Sequence, residues 1–316
     1  MDGAQADAMP DRFQGCLLGL ALGDALGAPR EGGVLERLLW RLVGTTREGR
    51  MRWTDDTQMS LDLVASLLAR GDIDCDDIAR RFAAGYRWSR GYGPGAAKVL
   101  KRIARGEDWR LANRAVYPEG SYGNGGAMRS PALGLFLAAR ADQLPQAVRQ
   151  VCSITHAHPM AIEGALLVSG ATALALSQAD PLEIIAALLR SADLDVYQRK
   201  LALAQGWLMA GDVPPARTLA AALGNGVAAN ASCVTAIYIA LGFLRRPFLD
   251  MLRCVADVGG DVDTIGAMAG AIWGAANGMG GLPQAALARL EQREQLMDAA
   301  VRLCRMSAGL AKPRAG

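Results

Sequence analysis

Apolar residues recur at helical spacing along almost the whole chain. After Trp53-Thr54-Asp55-Asp56, the positions Met59, Leu63, Val64, Leu67 and Leu68 fall on one helical face. The same pattern predicts helices over Phe13–Gly27, Asp77–Tyr86, Gly95–Arg105, Pro131–Ala139, Pro145–Cys152, Met160–Ser177 and Pro181–Ala192. It continues over Val196–Ala210, Ala231–Leu244, Pro247–Val258 and Thr264–Met279, and Pro283–Leu310 reads as a final amphipathic helical region. Pro131 is tolerated at a first helical turn because the amide hydrogen it lacks would be unpaired there. No sustained period-two alternation marks a strand, so a βαβ nucleotide-binding fold is not expected and the fold class is all-α. Gly-rich loops punctuate the helices at Gly91–Gly95, Gly120–Gly126, Gly224–Gly226 and Gly259-Gly260. No Pro/Ser-rich linker divides the chain, so residues 1–316 read as one domain, with 1–11 and 311–316 as flexible termini.

Composition narrows the class. At 316 residues the chain can share one core, and its apolar content is mostly Ala, Leu, Val and Ile, which suits closely packed helices. A net charge of +3 with no dense Lys/Arg block gives no reason to expect nucleic acid. Six cysteines without a CxxC pair read as reduced thiols, and residues 1–14 carry no apolar signal core, which together suit the cytoplasm. The uncharged stretch Thr264–Leu282 places Gly266, Gly270, Gly274 and Gly278 at four-residue intervals. Asp261 and Asp263 at its mouth and Asn277 within it argue for a buried helix closely approached by another backbone, rather than a membrane span.

Two acidic clusters carry the chemical signal. Thr54-Asp55-Asp56 and Asp261-Val262-Asp263-Thr264 each precede a helical run, and each offers carboxylates and a hydroxyl. Helix capping accounts for one acid per helix. Two acids plus a Thr at both starts, among Trp53, Met59, Val258 and Ile265, also suit a cation site, because buried carboxylates are costly until neutralised. Oxygen donors without a Cys or His cluster select Mg²⁺, Mn²⁺ or Ca²⁺ over structural Zn²⁺. Carboxylates from two remote segments can bridge two such ions roughly 3.5–4 Å apart.

At these clusters a resemblance becomes specific. Gly15-Cys16-Leu17-Leu18-Gly19, Leu22-Gly23-Asp24-Ala25-Leu26-Gly27, Trp53-Thr54-Asp55-Asp56-Thr57, Gly259–Thr264 and Ala267–Ala271 occur in an order that resembles the ADP-ribosylglycohydrolase family over about Phe13 to Leu282. The resemblance implies a compact orthogonal helical bundle with two Mg²⁺ or Mn²⁺ ions in a cleft. It implies Thr54, Asp55, Asp56, Asp261, Asp263 and Thr264 as metal ligands, Asp263 as a bridge, and Asp55 and Asp56 also as catalytic groups. Arg90–Gly95, Gly120–Arg129, Thr155-His156-Ala157 and Thr235–Tyr238 are similar to the serine-type ADP-ribosylhydrolases, which also degrade poly(ADP-ribose). The dinitrogenase-reductase type usually has an acidic residue where this chain has Gly91–Gly95.

The remaining roles are divided between the residues and the resemblance. Glycines in Ser121–Gly126 let backbone N–H groups approach an anion, and Ser121 adds a donor, although an ordinary tight loop has the same composition. The resemblance places Ser121, Tyr122, Gly123, Asn124 and Gly125 against the diphosphate and adenosine, with Tyr122 as a stacking surface, and His156 against the ribose or diphosphate. Glu31 alone reads as a solvated loop residue; the resemblance implies a catalytic and gating carboxylate between Gly27 and the Gly32-Gly33 pair. His156 and His158 do not share a helical face, which argues against a zinc pair.

The implied reaction is metal-assisted hydrolysis at the anomeric carbon of the distal ribose, with Glu31 or an Asp managing the proton. The implied substrates are ADP-ribosylated proteins and related O-linked conjugates, serine-linked first, handled by a monomer with no nucleic acid or membrane partner. Two alternatives remain: arginine-linked substrates, and a non-catalytic ADP-ribose-binding or structural relative.

Overall fold

The computed structural model describes residues 3–31, 40, 43–211 and 213–310. Among them there is no strand, only three isolated β-bridges, and the elements form an all-α bundle. In chain order the helices are α1 (Gly3–Gly27), α2 (Asp55–Arg70), α3 (Cys75–Gly85), α4 (Pro94–Ala104), α5 (Trp109–Val116), α6 (Gly125–Arg129) and α7 (Pro131–Phe136). They continue with α8 (Leu144–Cys152), α9 (Pro159–Leu176), α10 (Pro181–Ser191), α11 (Asp195–Ala210) and α12 (Ala216–Leu223). The last five are α13 (Cys233–Gly242), α14 (Phe248–Val258), α15 (Val262–Asn277), α16 (Gln284–Leu287) and α17 (Arg293–Leu310).

The centre of the bundle is the antiparallel pair α1 and α15. A Cβ on Gly19 would lie 2.2 Å from the Gly270 carbonyl oxygen, and one on Gly23 would lie 2.0 Å from that of Gly266. Only two glycine-lined faces allow backbones this close. The four-residue glycine ladder of α15 therefore meets a matching ladder on α1, and α15 is buried along nearly its whole length. This seam decides where the acids meet: Asp24 on α1 faces the start of α15, which carries Asp263. Helix α9 is long and apolar enough to cross a membrane by length and composition, and 67% of it is buried inside the fold.

Several boundaries differ from the sequence reading. Helix α1 begins at Gly3, so residues 3–11 belong to a helix rather than to a loose lead, and Pro10 lies within it. Residues 311–316 lie outside the described residues, as do Gly32 and Gly33. Helix α15 starts two residues before the expected Thr264, with Asp261 at its N-cap position. The expected helix from Pro283 to Leu310 is two helices, because residues 288–292 turn to pair with the strand-like stretch before α2. Met51 N–H donates to Arg289 O (2.6 Å), Glu291 N–H donates to Met51 O (3.0 Å), and Gln292 takes a left-handed φ of 51°. Helices α5 and α12 were not expected; each buries only two side chains, Ala112 and Asn113 or Leu219 and Leu223.

Candidate metal centre and adjoining cleft

The segment that enters α2 is held from two sides. On one side, Asp24 accepts from Thr54 N–H (2.9 Å), Thr57 N–H (3.1 Å) and the Thr57 hydroxyl (2.6 Å). On the other, Glu291 Oε1 accepts from Trp53 N–H (2.9 Å) and pairs with Arg90. The Arg90 guanidinium lies 3.7 Å over the Trp53 ring and donates to Trp53 O (2.6 Å). Thr54, Asp55 and Asp56 thus sit at a fixed point, with the positive end of the α2 dipole behind the two acids.

Capping accounts for only part of this arrangement. Thr54 is the N-cap of α2: its Oγ1 accepts from Asp56 N–H (3.4 Å) and donates to Asp56 Oδ2 (2.9 Å). Asp261 occupies the N-cap of α15 but its carboxylate caps nothing there; it accepts from Asn124 Nδ2 (2.5 Å). Asp56 Oδ1 is buried and has no hydrogen-bond partner among the described residues.

Two carboxylate triads result. Ligand atoms of Asp24, Asp56 and Asp263 lie within 4.8 Å of one another, and so do those of Glu31, Asp261 and Asp263. Asp263 belongs to both. Thr264 Oγ1 lies 3.5 Å from Asp56 Oδ2, joining the two helix starts. Asp55 stands beside them on the cleft wall.

The electrostatics are those of an unneutralised cluster. Burial, then the facing charges of Asp24 and Asp55, push the Asp56 carboxyl well above the usual range. Burial, then Asp56, Glu31 and Asp261, do the same to Asp263, and burial, then Asp24 and Glu31, to Asp55. Burial raises Asp24 to about 6 even against its four hydrogen-bond interactions with Thr54 and Thr57. Charges of one sign held this close, with a buried oxygen left unpaired, fit hard divalent cations: the donors are all oxygen, and a cation would remove the cost that raises every one of these groups.

The cleft beside the triads has a volume of about 370 Å³. Glu31, Asp55, Asp261, Asp263, Thr264, Ser121, Tyr122, Gly123, Asn124, Gly125 and His156 all line it, while Thr54, Asp56 and Asp24 lie behind the acid wall. The far wall is the 121–125 loop. It is strapped to residues 227–229 by Asn124 N–H to Val227 O and Ala229 N–H to Tyr122 O (both 2.9 Å). The same strap reaches α15, since Asp261 N–H donates to Asn225 O (2.8 Å). Within the loop, Asn124 N–H is thus spent on Val227, and Gly123 N–H donates to Ser121 Oγ (3.3 Å), so neither is free to hold an anion. Tyr122 presents an exposed ring, with His158 edge-on at 6.0 Å. His158 itself caps α9, accepting from Met160 N–H (3.1 Å).

Sequence reasoning missed three contributors. Asp24 was read only as part of a motif, although one carboxylate in an otherwise apolar helix is itself a signal. Glu291 gave no signal of its own, because it acquires its meaning from a segment distant in the chain. Arg129, whose buried guanidinium donates to Gly125 O beneath the 121–125 loop, stood only as the end of the 120–129 motif.

The comparisons with known proteins come down on one side. The family model described as ADP-ribosylglycohydrolase matches residues 5–312. The chain is 33% identical to ADP-ribosylhydrolase ARH3 of Gallus gallus, over 84% of this chain and 85% of that protein. It is 31% identical to ADP-ribosylhydrolase ARH3 of Homo sapiens, over 86% of this chain and 87% of that protein. A solved structure titled "ADP-ribosylglycohydrolase-related protein complex" superposes with a TM-score of 0.64 at 29% identity, covering 95% of this chain and 99% of the other.

Proposed function

The chain belongs to the ADP-ribosylglycohydrolase family, and from that premise we propose that it is an ADP-ribosylhydrolase dependent on a pair of Mg²⁺ or Mn²⁺ ions, acting first on serine-linked ADP-ribose. The observation that carries this reading is the pair of carboxylate triads sharing Asp263 beside a cleft that also contains His156 and the 121–125 loop.

Asp24, Asp56 and Asp263 would hold one ion, and Asp261 and Asp263 the other, with Thr54, Asp55 and Thr264 completing the shells and Glu31 at the edge of the second. Such ions, when bound, fix sugar hydroxyls and make a water more acidic. The protein's own groups do the rest. Asn124 holds the Asp261 carboxylate in place by its 2.5 Å hydrogen bond, and Asp24 fixes the start of α2 through Thr54 and Thr57. Glu31, at the cleft wall and only partly buried, is the carboxyl placed to take a proton from water or to give one to the leaving hydroxyl. The exposed Tyr122 ring offers a stacking face for an adenine.

The preference for serine is supported by the similarity of Arg90–Gly95 and Gly120–Arg129 to the serine-type enzymes, and removal of ADP-ribose is supported by the relatives named ADP-ribosylhydrolase. Matched peptides carrying serine- or arginine-linked ADP-ribose, incubated with Mg²⁺ and then with a chelator, test it. Release from the serine peptide that stops on chelation is expected. Release from the arginine peptide alone overturns the linkage, undiminished release in chelator overturns the role of the ions, and binding of free ADP-ribose without release from either peptide overturns catalysis.

A further inference from the structure

Behind the cleft wall opposite the acids lies a short relay of buried polar side chains. Arg129, at the end of α6, is completely buried and rests 4.9 Å from the Phe82 ring. Its Nη1 donates to Gly125 O (2.6 Å), and its Nη2 donates to Val151 O (3.2 Å) and to Thr155 Oγ1 (2.9 Å). Thr155 Oγ1 in turn lies 2.8 Å from His156 Nδ1. The His156 ring presses its other edge against the loop: a Cβ on Gly125 would lie 2.5 Å from Cε1, and one on Gly123 would lie 3.2 Å from Nε2.

The direction of this relay is fixed by one chemical fact: a guanidinium only donates. Thr155 Oγ1 must accept from Arg129, which leaves its own proton to place. Among the described residues the hydroxyl's other neighbour is His156 Nδ1. Were Nδ1 to carry a proton, Thr155 would accept twice and its own buried hydrogen would have no acceptor. Most buried donors are paired; Arg129 Nε is an exception in this relay, but the Thr155 hydroxyl has an acceptor within reach if Nδ1 is bare. Val151 O is the carbonyl four residues back that a threonine hydroxyl ordinarily uses, and its two lone pairs already face Arg129 Nη2 and Ile154 N–H (3.4 Å).

We propose that Arg129 is a positioning residue which, through Thr155, fixes His156 as the tautomer protonated on Nε2, so that a neutral ring N–H faces the cleft beside Gly123. The group it meets is a phosphoryl oxygen of the bound nucleotide. A neutral donor there binds an anion without bringing an imidazolium next to a buried guanidinium; burial, then the Arg129 charge, hold the His156 ring neutral, with a pKa lowered to about 3. The identity of the acceptor rests on the ADP-ribose reading above, whereas the tautomer does not.

With His156 and His158 as the only histidines, long-range ¹H–¹⁵N correlation spectra at pH 7 resolve the question in ligand-free enzyme. His156 is expected as a single form, with a protonated Nε2 and a bare Nδ1. Arg129→Met frees Val151 O for the Thr155 hydroxyl, and Thr155→Val, of the same shape, cuts the link while keeping Arg129; in both a second tautomer appears. Arg129→Lys, which can still donate to Thr155, restores the single form. ADP-ribose affinity falls about tenfold in Arg129→Met and Thr155→Val, the worth of one hydrogen bond to a charged group. Mn²⁺ affinity without nucleotide stays at the wild-type value, which separates this effect from general damage.

A wild-type His156 protonated on Nδ1 overturns the proposal. So does a single Nε2–H form retained in both Arg129→Met and Thr155→Val. Should wild-type enzyme bind no ADP-ribose at all, the substrate reading fails while the tautomer result stands on its own.

Discussion

The two walls of the cleft meet the same problem, buried charge, in opposite ways. On the acid wall, Asp24, Asp55, Asp56, Asp261 and Asp263 converge; after burial, the charges of Asp24, Glu31 and Asp261 weigh on Asp55, and those of Asp24, Asp55 and Asp261 on Asp56. An oxygen of Asp56 is left without a partner. On the loop wall, Arg129 spends its donors on two carbonyls and a hydroxyl, and His156 is neutral. The first wall is incomplete as a protein and calls for something positive from outside. The second leaves one buried donor unpaired, Arg129 Nε, but answers its own charge with three hydrogen bonds and presents a neutral ring to the cleft. A site for an ion and a site for an organic ligand are thus distinguishable by what each leaves unsatisfied.

The sharpest test of that contrast is Asp56→Asn. Losing one ligand carboxylate is expected to cut turnover by about a thousandfold, in keeping with the several kcal/mol a metal contributes. The same substitution also inverts the stability order. In chelator the variant melts above wild type, because a like charge has gone; with Mg²⁺ it melts below. Thermal melts in both buffers read this directly, and a wild type already more stable in chelator contradicts the idea of an unneutralised wall.

A smaller effect comes from the other wall. Gly125→Ala forces a methyl against the His156 ring, and overpacking of this kind costs about 1–3 kcal/mol. Weaker ADP-ribose binding is expected with unchanged stabilisation by Mg²⁺, measured by calorimetry and by melting shift. A loss of the Mg²⁺ shift would mean that the walls are not independent.

The smallest effect isolates burial from clustering. Asp62 lies on α2, beyond the triads, where burial raises its carboxyl to about 7 against the Gln58 hydrogen bond and the charges of Arg81 and Arg87. Because its pKa is raised on folding, the stability it allows is complete below pH 4 and lost as pH rises through 7. Asp62→Asn is therefore expected to gain about 1 kcal/mol over wild type at pH 8 and to match it near pH 4. Urea unfolding at the two pH values, with and without Mg²⁺, should show a pH effect and no cation effect.

How much of this was legible in the sequence follows from how local each feature is. Helical periodicity marked the long helices because their buried faces repeat within a few turns. It missed α5 and α12, whose burial is limited to two residues each. It also ran through residues 288–292, where pairing with Met51 breaks the helix from outside. The clusters at 54–56 and 261–264 were visible because acids and hydroxyls adjoin in sequence. Asp24 was visible only as a motif letter, since its partners come from α2 and α15. The glycine ladder of α15 announced a close neighbour, but not that the neighbour was α1. Glu291 offered nothing to periodicity or motif, because its partners lie far away in the chain, and Arg129 was visible only as the last letter of the 120–129 motif.

The seam between α1 and α15 has a further consequence in time. Nearly the entire chain lies between its two halves, so a polypeptide made from its amino end must carry α1 without its partner until the last helices emerge. Contacts this remote are slow to close, and exposed apolar surface in the interval invites aggregation. The ion-binding acids are joined by that same late event. Cation capture can therefore report when the final step of assembly, from ribosome to finished enzyme, has been reached.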